Sequence, residues 1–192
     1  MGRVIVQQWM SADGFLAGPE GEGDVFAAVR DFSASETHNL ALLTTVDEVL
    51  LGRRTYESFA AFWPTADGEP MARLVNSIPK TVCSTTLTEA PWGRHAPARI
   101  VPDAVAHVRA RRDRDTIVWG SVRLMRSLLA AGAVDELELF VAPIALGSGT
   151  PLLGADDSPV PLRVVETEAW PADVIRTRYA VRRAARHAGE GH

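Results

Sequence analysis

The sequence predicts an α/β fold of three layers, αβα, around a mixed, mostly parallel and twisted sheet with an antiparallel C-terminal edge. Short apolar, β-branched runs alternate with helical patterns along most of the chain. Two of the junctions share one layout, in which an apolar run meets a glycine and a helix opens. They are Val49-Leu50-Leu51-Gly52-Arg53-Arg54-Thr55-Tyr56-Glu57 and Ile117-Val118-Trp119-Gly120-Ser121-Val122-Arg123-Leu124-Met125. The last strand candidates follow one another with little helix between them, as antiparallel neighbours do.

In chain order, Val4 to Met10 is a strand, followed by a glycine-rich segment from Gly14 to Gly23. A helical region runs from about Val25 to Leu43, broken near Ser33 to Ser35, where serines favour caps over helix interiors. Val46 to Leu51 is a strand, and Thr55 to Phe62 a helix that Pro64 stops. Met71 to Asn76 makes a short turn or helix, and Thr81 to Ser84 and Arg99 to Val101 are short strands. Pro102-Asp103 opens a helix of roughly ten residues, Asp103 suiting its first turn or cap. Thr116 to Trp119 leads into a helix from Val122 to Ala131, closed by Gly132 as a left-handed cap. Glu136 to Ala142, Leu162 to Thr167 and Val174 to Arg182 complete the sheet, with a tight turn at Gly147-Ser148-Gly149-Thr150-Pro151. Residues 1–182 are expected to form one domain, and the polar tail 183–192 to be disordered.

With 192 residues, 46% of them apolar and 23% charged, the chain is large enough to bury a substantial core. A net charge of −4 with no basic stripe argues against a nucleic-acid partner. No apolar run reaches bilayer length, so no membrane partner is expected. Met1-Gly2-Arg3 opens no signal-peptide pattern, and Val6 stands where a myristoylation signal needs Ser or Thr. The expected location is the cytoplasm. The single cysteine, Cys83, reads as a small buried hydrophobe. His38, His95, His107, His187 and His192 lack metal-ligand spacing; surface or tail positions account for them, and no metal is expected.

Chemistry concentrates at the two glycine junctions. The first N–H groups of a helix have no intrahelical partner and sit at the positive end of its dipole, so such a junction is a seat for phosphate. Gly120 lets an anion approach the backbone, and Ser121 can cap its helix or offer its hydroxyl. At the other junction Arg53 and Arg54 supply planar donors, and Thr55 can cap the helix and touch the same anion. A plain strand-to-helix turn with solvated arginines is the alternative. Gly14, Gly18, Gly21 and Gly23, with Pro19, make the loop to Asp24 either a mobile lid or a loose surface loop.

Five motifs in order carry a resemblance: Ser11-Ala12-Asp13-Gly14; Leu51 to Glu57; Pro79-Lys80-Thr81-Val82-Cys83-Ser84; Gly120-Ser121; and Asp135-Glu136-Leu137 leading to Pro143-Ile144-Ala145-Leu146-Gly147-Ser148-Gly149. Together they resemble the dihydrofolate reductase-like superfamily, and most of all the reductase (C-terminal) domain of riboflavin biosynthesis and its stand-alone bacterial relatives. The likeness runs from Val4 to about Arg182. It implies NADPH bound across the ends of the central strands. Gly52, Arg53, Arg54 and Thr55, and Gly120, Ser121, Val122, Arg123 and Leu124, match diphosphate-binding turns. Ser84 and Thr85 match the strand end that meets the 2′-phosphate, helped by Arg53. No acidic residue adjoins Ser84 to claim a ribose diol instead. Trp9 and Leu16 match positions flanking the nicotinamide, although Trp9 reads equally well as packed core.

The resemblance therefore implies an NADPH-dependent reductase that transfers a hydride to a small heterocyclic or carbonyl substrate, pterin- or pyrimidine-like. The alternative is a non-catalytic nucleotide- or ligand-binding protein on the same scaffold. Reduction of C=N or C=O also needs a proton donor. Asp24 and Asp31, then Glu36, are the candidates. None matches the carboxylate that true dihydrofolate reductases carry on the helix after the loop, which argues against folate. Arg73, Arg94 and Lys80 are basic contacts for a pyrimidine phosphate. One cysteine without paired spacing excludes a zinc deaminase half from this sequence. A homodimer is expected, with Leu137-Glu138-Leu139-Phe140-Val141-Ala142 pairing across it.

Overall fold

The computed structural model describes residues 2–182; the tail expected to be disordered lies outside them. The first half comprises β1 (Val4–Ser11), β2 (Phe15–Ala17), α1 (Gly23–Phe26), α2 (Ser33–Leu43), β3 (Glu48–Gly52), α3 (Arg53–Phe62), α4 (Ala72–Ser77) and β4 (Lys80–Cys83). The second comprises β5 (Arg99–Val101), α5 (Ala104–Ala110), β6 (Thr116–Trp119), α6 (Val122–Ala130), β7 (Glu136–Ala142), β8 (Thr150–Pro151), β9 (Leu162–Ala169) and β10 (Ile175–Val181). Eight strands form one sheet in the order β5-β4-β3-β6-β1-β7-β10-β9, and β2 pairs with β8 apart from it. The pairings from β5 to β7 are parallel; β10 runs antiparallel to both β7 and β9.

Alternation along the strands divides the core into layers. Val4, Val6, Leu50, Val118, Leu137 and Leu139 face α5 and α6, which contribute Ala104, Val108, Leu124, Met125, Leu128 and Leu129. Val49, Leu51, Ile117 and Trp119 face the other way, toward Leu43, Tyr56, Met71 and Val75 of the α2–α4 region. A smaller cluster of Val25, Val29, Phe140, Ala142 and Val174 closes the end beside Trp9. This is the αβα architecture read from the sequence.

Several local expectations shift. The helical region after the first loop divides earlier than Ser33: α1 ends at Phe26, and Ser33 opens α2, its amide donating to Asp31 Oδ1 at 2.8 Å. α5 is shorter than expected, but Asp103 caps it, accepting from the Ala106 amide at 3.0 Å. Asp103→Ala is expected to lower stability by about 1 kcal/mol, read as a shift of the urea midpoint at constant slope. Gly132 takes the left-handed conformation, φ +59°, after α6 as its position implied. The turn at Gly147 to Pro151 ends in β8, where Thr150 and Pro151 pair with β2.

The expected pairing of β7 across a dimer does not hold. The strand lies between β1 and β10, so both its edges are occupied, and Glu138 and Phe140 are as buried as Leu137 and Leu139. On that side the outer strand is β9, with Leu162, Val164 and Val165 exposed. Two histidines read as surface groups are structural. His107 Nε2 lies 2.9 Å from the buried Glu48, which also accepts from Thr81 and Thr116. His38 Nε2 lies 3.0 Å from Glu138 Oε1. Among the described residues no helix is long and apolar enough to cross a membrane.

Candidate functional site

β3 and β6 are adjacent parallel strands whose following helices, α3 and α6, leave to opposite faces of the sheet. A crevice opens at the carboxyl ends of strands where connections diverge in this way, and ligands of open α/β sheets bind there. Both glycine turns stand at that point, cross-linked side by side. The Gly52 amide donates to Ser121 Oγ at 2.8 Å, and Thr55 Oγ1 lies 2.7 Å from the same oxygen. Gln8 Nε2 donates to the Gly120 carbonyl at 2.8 Å.

The glycines are required sterically. A β-carbon on Gly52 would fall 2.7 Å from Ser121 Oγ, and one on Gly120, at φ +56°, would fall 2.8 Å from Thr55 Oγ1. Ser121 is itself held at φ 57°, a costly conformation for a residue with a side chain. The expectation that Ser121 or Thr55 caps its helix is corrected. Both hydroxyls are committed to the link between the turns, and neither α3 nor α6 has a side-chain cap. The first amides of two helices are thereby left for a ligand.

The cleft above these turns holds about 1410 Å³. That exceeds the ~300–1,000 Å³ of a site for one small molecule and leaves room for a dinucleotide beside a second ligand. Its lining includes each residue expected to hold a cofactor: Trp9, Leu16, Gly52, Arg53, Arg54, Thr55, Ser84, Thr85, Gly120, Ser121, Val122, Arg123 and Leu124. Arg53 Nη1 donates to Thr86 Oγ1 at 3.3 Å, tying the guanidinium to the loop after β4. Ser84 Oγ caps that loop, accepting from the Thr86 and Leu87 amides at 3.2 and 3.1 Å. Thr86, which no sequence motif marks, thus joins Arg53, Ser84 and Thr85 at one end. Cys83 is a half-buried wall residue rather than core, and burial pushes its thiol up.

At the other end Trp9 is both wall and core. Its ring meets Phe32 at 5.5 Å, Phe140 at 5.1 Å and Phe26 at 5.9 Å, edge-on in each case, while the residue still lines the cleft. Hydrogen bonds anchor the loop after β1 at its base. Asp13 accepts from Ser11 Oγ at 2.6 Å and from the Leu146 and Gly147 amides at 3.0 and 2.7 Å. These bonds hold its carboxyl at about 2. Gly18 and Gly21 bridge each other, and Leu152 N–H donates to the Gly14 carbonyl.

The proton-donor candidates do not reach the cleft. Asp24 accepts from the Glu20 amide, Asp31 is exposed at the start of α2, and neither, nor Glu36, lines the cleft. Of the two carboxylates that do line it, Asp103 is the α5 cap. Glu22 is the other. It sits beside Phe26 on the Trp9 side, at the rim of the cleft with its side chain partly open to solvent. Its carboxyl bonds to no described residue, and partial burial raises its pKa. Glycines on both sides were the available signal, since they let the chain bend so that Glu22 reaches the cleft rim. The basic candidates are also elsewhere. Lys80 is buried, its Nζ donating to the Asn76 carbonyl at 2.7 Å, and burial lowers its pKa to about 8. Arg94 pairs with Asp67 on the surface, and Arg73 is exposed and outside the cleft wall.

Comparison with known proteins gives one consistent answer. The family model described as the RibD C-terminal domain matches residues 3–176. The chain is 24% identical to the uncharacterized protein YyaP of Bacillus subtilis (strain 168), over 92% of this chain and 94% of that one. A structure titled "Putative riboflavin biosynthesis protein" from Shewanella sp. PV-4 superposes with a TM-score of 0.75 at 26% identity, covering 94% of this chain and 99% of that one. The diaminohydroxyphosphoribosylaminopyrimidine deaminase/5-amino-6-(5-phosphoribosylamino)uracil reductase of Thermotoga maritima shares the fold, with a TM-score of 0.64 at 15% identity. There the match covers 94% of this chain but only 56% of the longer one.

Proposed function

The chain belongs to the RibD C-terminal domain family, and from that premise we propose that it is an NADPH-dependent reductase acting on a small heterocyclic or carbonyl substrate. The carrying observation is the pair of cross-linked glycine turns at the carboxyl ends of β3 and β6. They leave the first amides of α3 and α6 without side-chain caps, and a diphosphate is the ligand that such paired helix starts suit. Arg53, with the hydroxyls of Ser84, Thr85 and Thr86 nearby, supplies charge-assisted and neutral donors for a further phosphate at the adenosine end. Trp9 and Leu16 form the apolar wall for the nicotinamide, and the aromatic cluster behind Trp9 holds that wall rigid.

When bound, the cofactor supplies the hydride. The protein orients the acceptor against it, keeps water out, and supplies the proton. Glu22 is the group we assign to hold that proton, because it lines the cleft with its carboxyl uncommitted while Asp103 caps α5. Partial burial keeps that carboxyl protonated further up the pH range. The homodimer belongs to the same proposal, its contact moved to the exposed apolar residues of β9.

The test follows loss of reduced-nicotinamide absorbance with pyrimidine- and pterin-type acceptors, in wild type and in Arg53→Ala/Ser84→Ala. Charge-assisted bonds of about 1.5–3 kcal/mol imply a fall of roughly 10- to 100-fold in the preference for NADPH over NADH. An unchanged preference removes the 2′-phosphate assignment. Binding without turnover on any acceptor favours the non-catalytic alternative.

A further inference from the structure

A row of polar side chains crosses the sheet beneath the cleft. Trp119, Gln7 and Glu138 are in register on β6, β1 and β7. Glu138 is 1% exposed. Arg176 Nε donates to its Oε1 at 2.7 Å, His38 Nε2 lies 3.0 Å from the same oxygen, and Gln7 Nε2 donates to Oε2 at 2.7 Å. A carboxylate in these surroundings only accepts, so the end of Gln7 that meets it is the NH2 group. At its other end Gln7 Oε1 accepts from the Trp119 indole N–H at 2.8 Å, and an indole only donates. Both ends of the Gln7 amide are therefore fixed by partners of single polarity.

The consequence passes to Asn39 on α2. Gln7 Nε2 also donates to Asn39 Oδ1, at 2.9 Å. That bond commits the Asn39 oxygen and leaves its Nδ2 facing away from Gln7. Asn39 is 8% exposed and lines the cleft together with Trp9, Gln7 and Trp119. Its Nδ2 has no hydrogen-bond partner among the described residues, nor is it among their fully buried unpaired atoms. A donor that faces the cleft is satisfied by an acceptor on whatever fills the space, and a ligand that leaves it unpaired binds more weakly.

We infer that Asn39 is a specificity-determining residue that donates to a carbonyl oxygen or ring-nitrogen acceptor on the substrate, its polarity set by Glu138 through Gln7. This deepens the reductase reading and rests on it. A ligand presenting only donors at that position, such as an amidinium or a protonated aminoheterocycle, meets N–H against N–H and is rejected. The site therefore takes a neutral, acceptor-bearing planar ring. A carboxylate at position 39 would invert the choice, since it would accept from Gln7 and offer a second oxygen to the cleft.

The test uses benzamide and benzamidine, two planar probes of nearly equal size. One presents a carbonyl acceptor and the other, as a cation, only donors. Affinities are read by ligand-observed NMR on the full chain, and NADPH binding is measured separately by tryptophan fluorescence. Wild type is expected to prefer benzamide by about tenfold or more, as 1.4 kcal/mol of mismatch dictates. Asn39→Asp is expected to reverse the preference, and Gln7→Met, which frees the Asn39 amide to turn, to reduce it. If Asn39→Asp fails to fold, Asn39→Leu takes its place and should abolish the preference. A wild type that favours benzamidine or binds neither probe overturns the inference, as does a folded position-39 variant with unchanged discrimination. Loss of the reductase reading would show instead as absent NADPH binding with the probe preference intact.

Discussion

Replacing Glu138 with Ala is expected to lower the free energy of unfolding by about 3–5 kcal/mol. The substitution leaves Arg176 and His38 facing an empty space between β1, β7 and α2. The lower end of that range is favoured, because Arg176 keeps Glu166 at 3.0 Å and Glu168 at 3.4 Å. The same carboxylate makes stability depend on acid pH. Burial alone would push its pKa up, but hydrogen bonds from His38 and Gln7, with the charges of His38 and Arg176, outweigh burial and hold it at about 2. In the unfolded chain it titrates near its ordinary value of about 4.3. The unfolded state therefore takes up the proton first as pH falls. The stabilisation is complete above about 4.3 and is lost as pH drops toward 2. Urea unfolding of both proteins across that window reads it. Asp13 and Glu166 titrate in both, so the difference between the profiles isolates Glu138. Parallel profiles would contradict the account.

Glu22→Gln is expected to reduce kcat by about 10²- to 10⁴-fold, the range for a lost general acid, with NADPH affinity unchanged. Wild-type kcat should fall as pH rises, because the working form is protonated, and partial burial moves that fall upward from the ordinary glutamate value. The Gln variant should lack the limb. Asp31→Asn should leave both rate and profile as they are, since Asp31 lies outside the cleft wall and bonds only to the start of α2. Steady-state rates across pH with any acceptor that turns over decide it. An unaltered limb in Glu22→Gln would exclude Glu22 as the donor.

The parts legible in the sequence are those governed by local physics. Gly52 and Gly120 announce turns because each is followed by a helix-forming run, and Asp103 and Gly132 announce helix ends through capping chemistry. Groups whose role depends on strand order were not legible. Glu138 alternates with Leu137 and Leu139 in a segment expected to pair across a homodimer, and nothing local marks it as buried. Only the placement of β7 between β1 and β10 brings Arg176, His38 and Gln7 around it. His107 is a second such case, since its partner Glu48 is reached only through the fold. Ser121 had the composition of a helix cap. Its neighbour across the β3–β6 ladder claims the hydroxyl instead. Asn39 left one faint signal, an asparagine within a helix, where its propensity is poor.

The most direct measurement is a titration of the full chain with NADPH and with NADH, followed by tryptophan fluorescence. Trp9, Trp63 and Trp119 line the cleft, so a nicotinamide or adenine entering it changes their emission. The account predicts saturable quenching with NADPH binding the more tightly. No change with either nucleotide would contradict it, and the two glycine turns would then be a shape without this ligand.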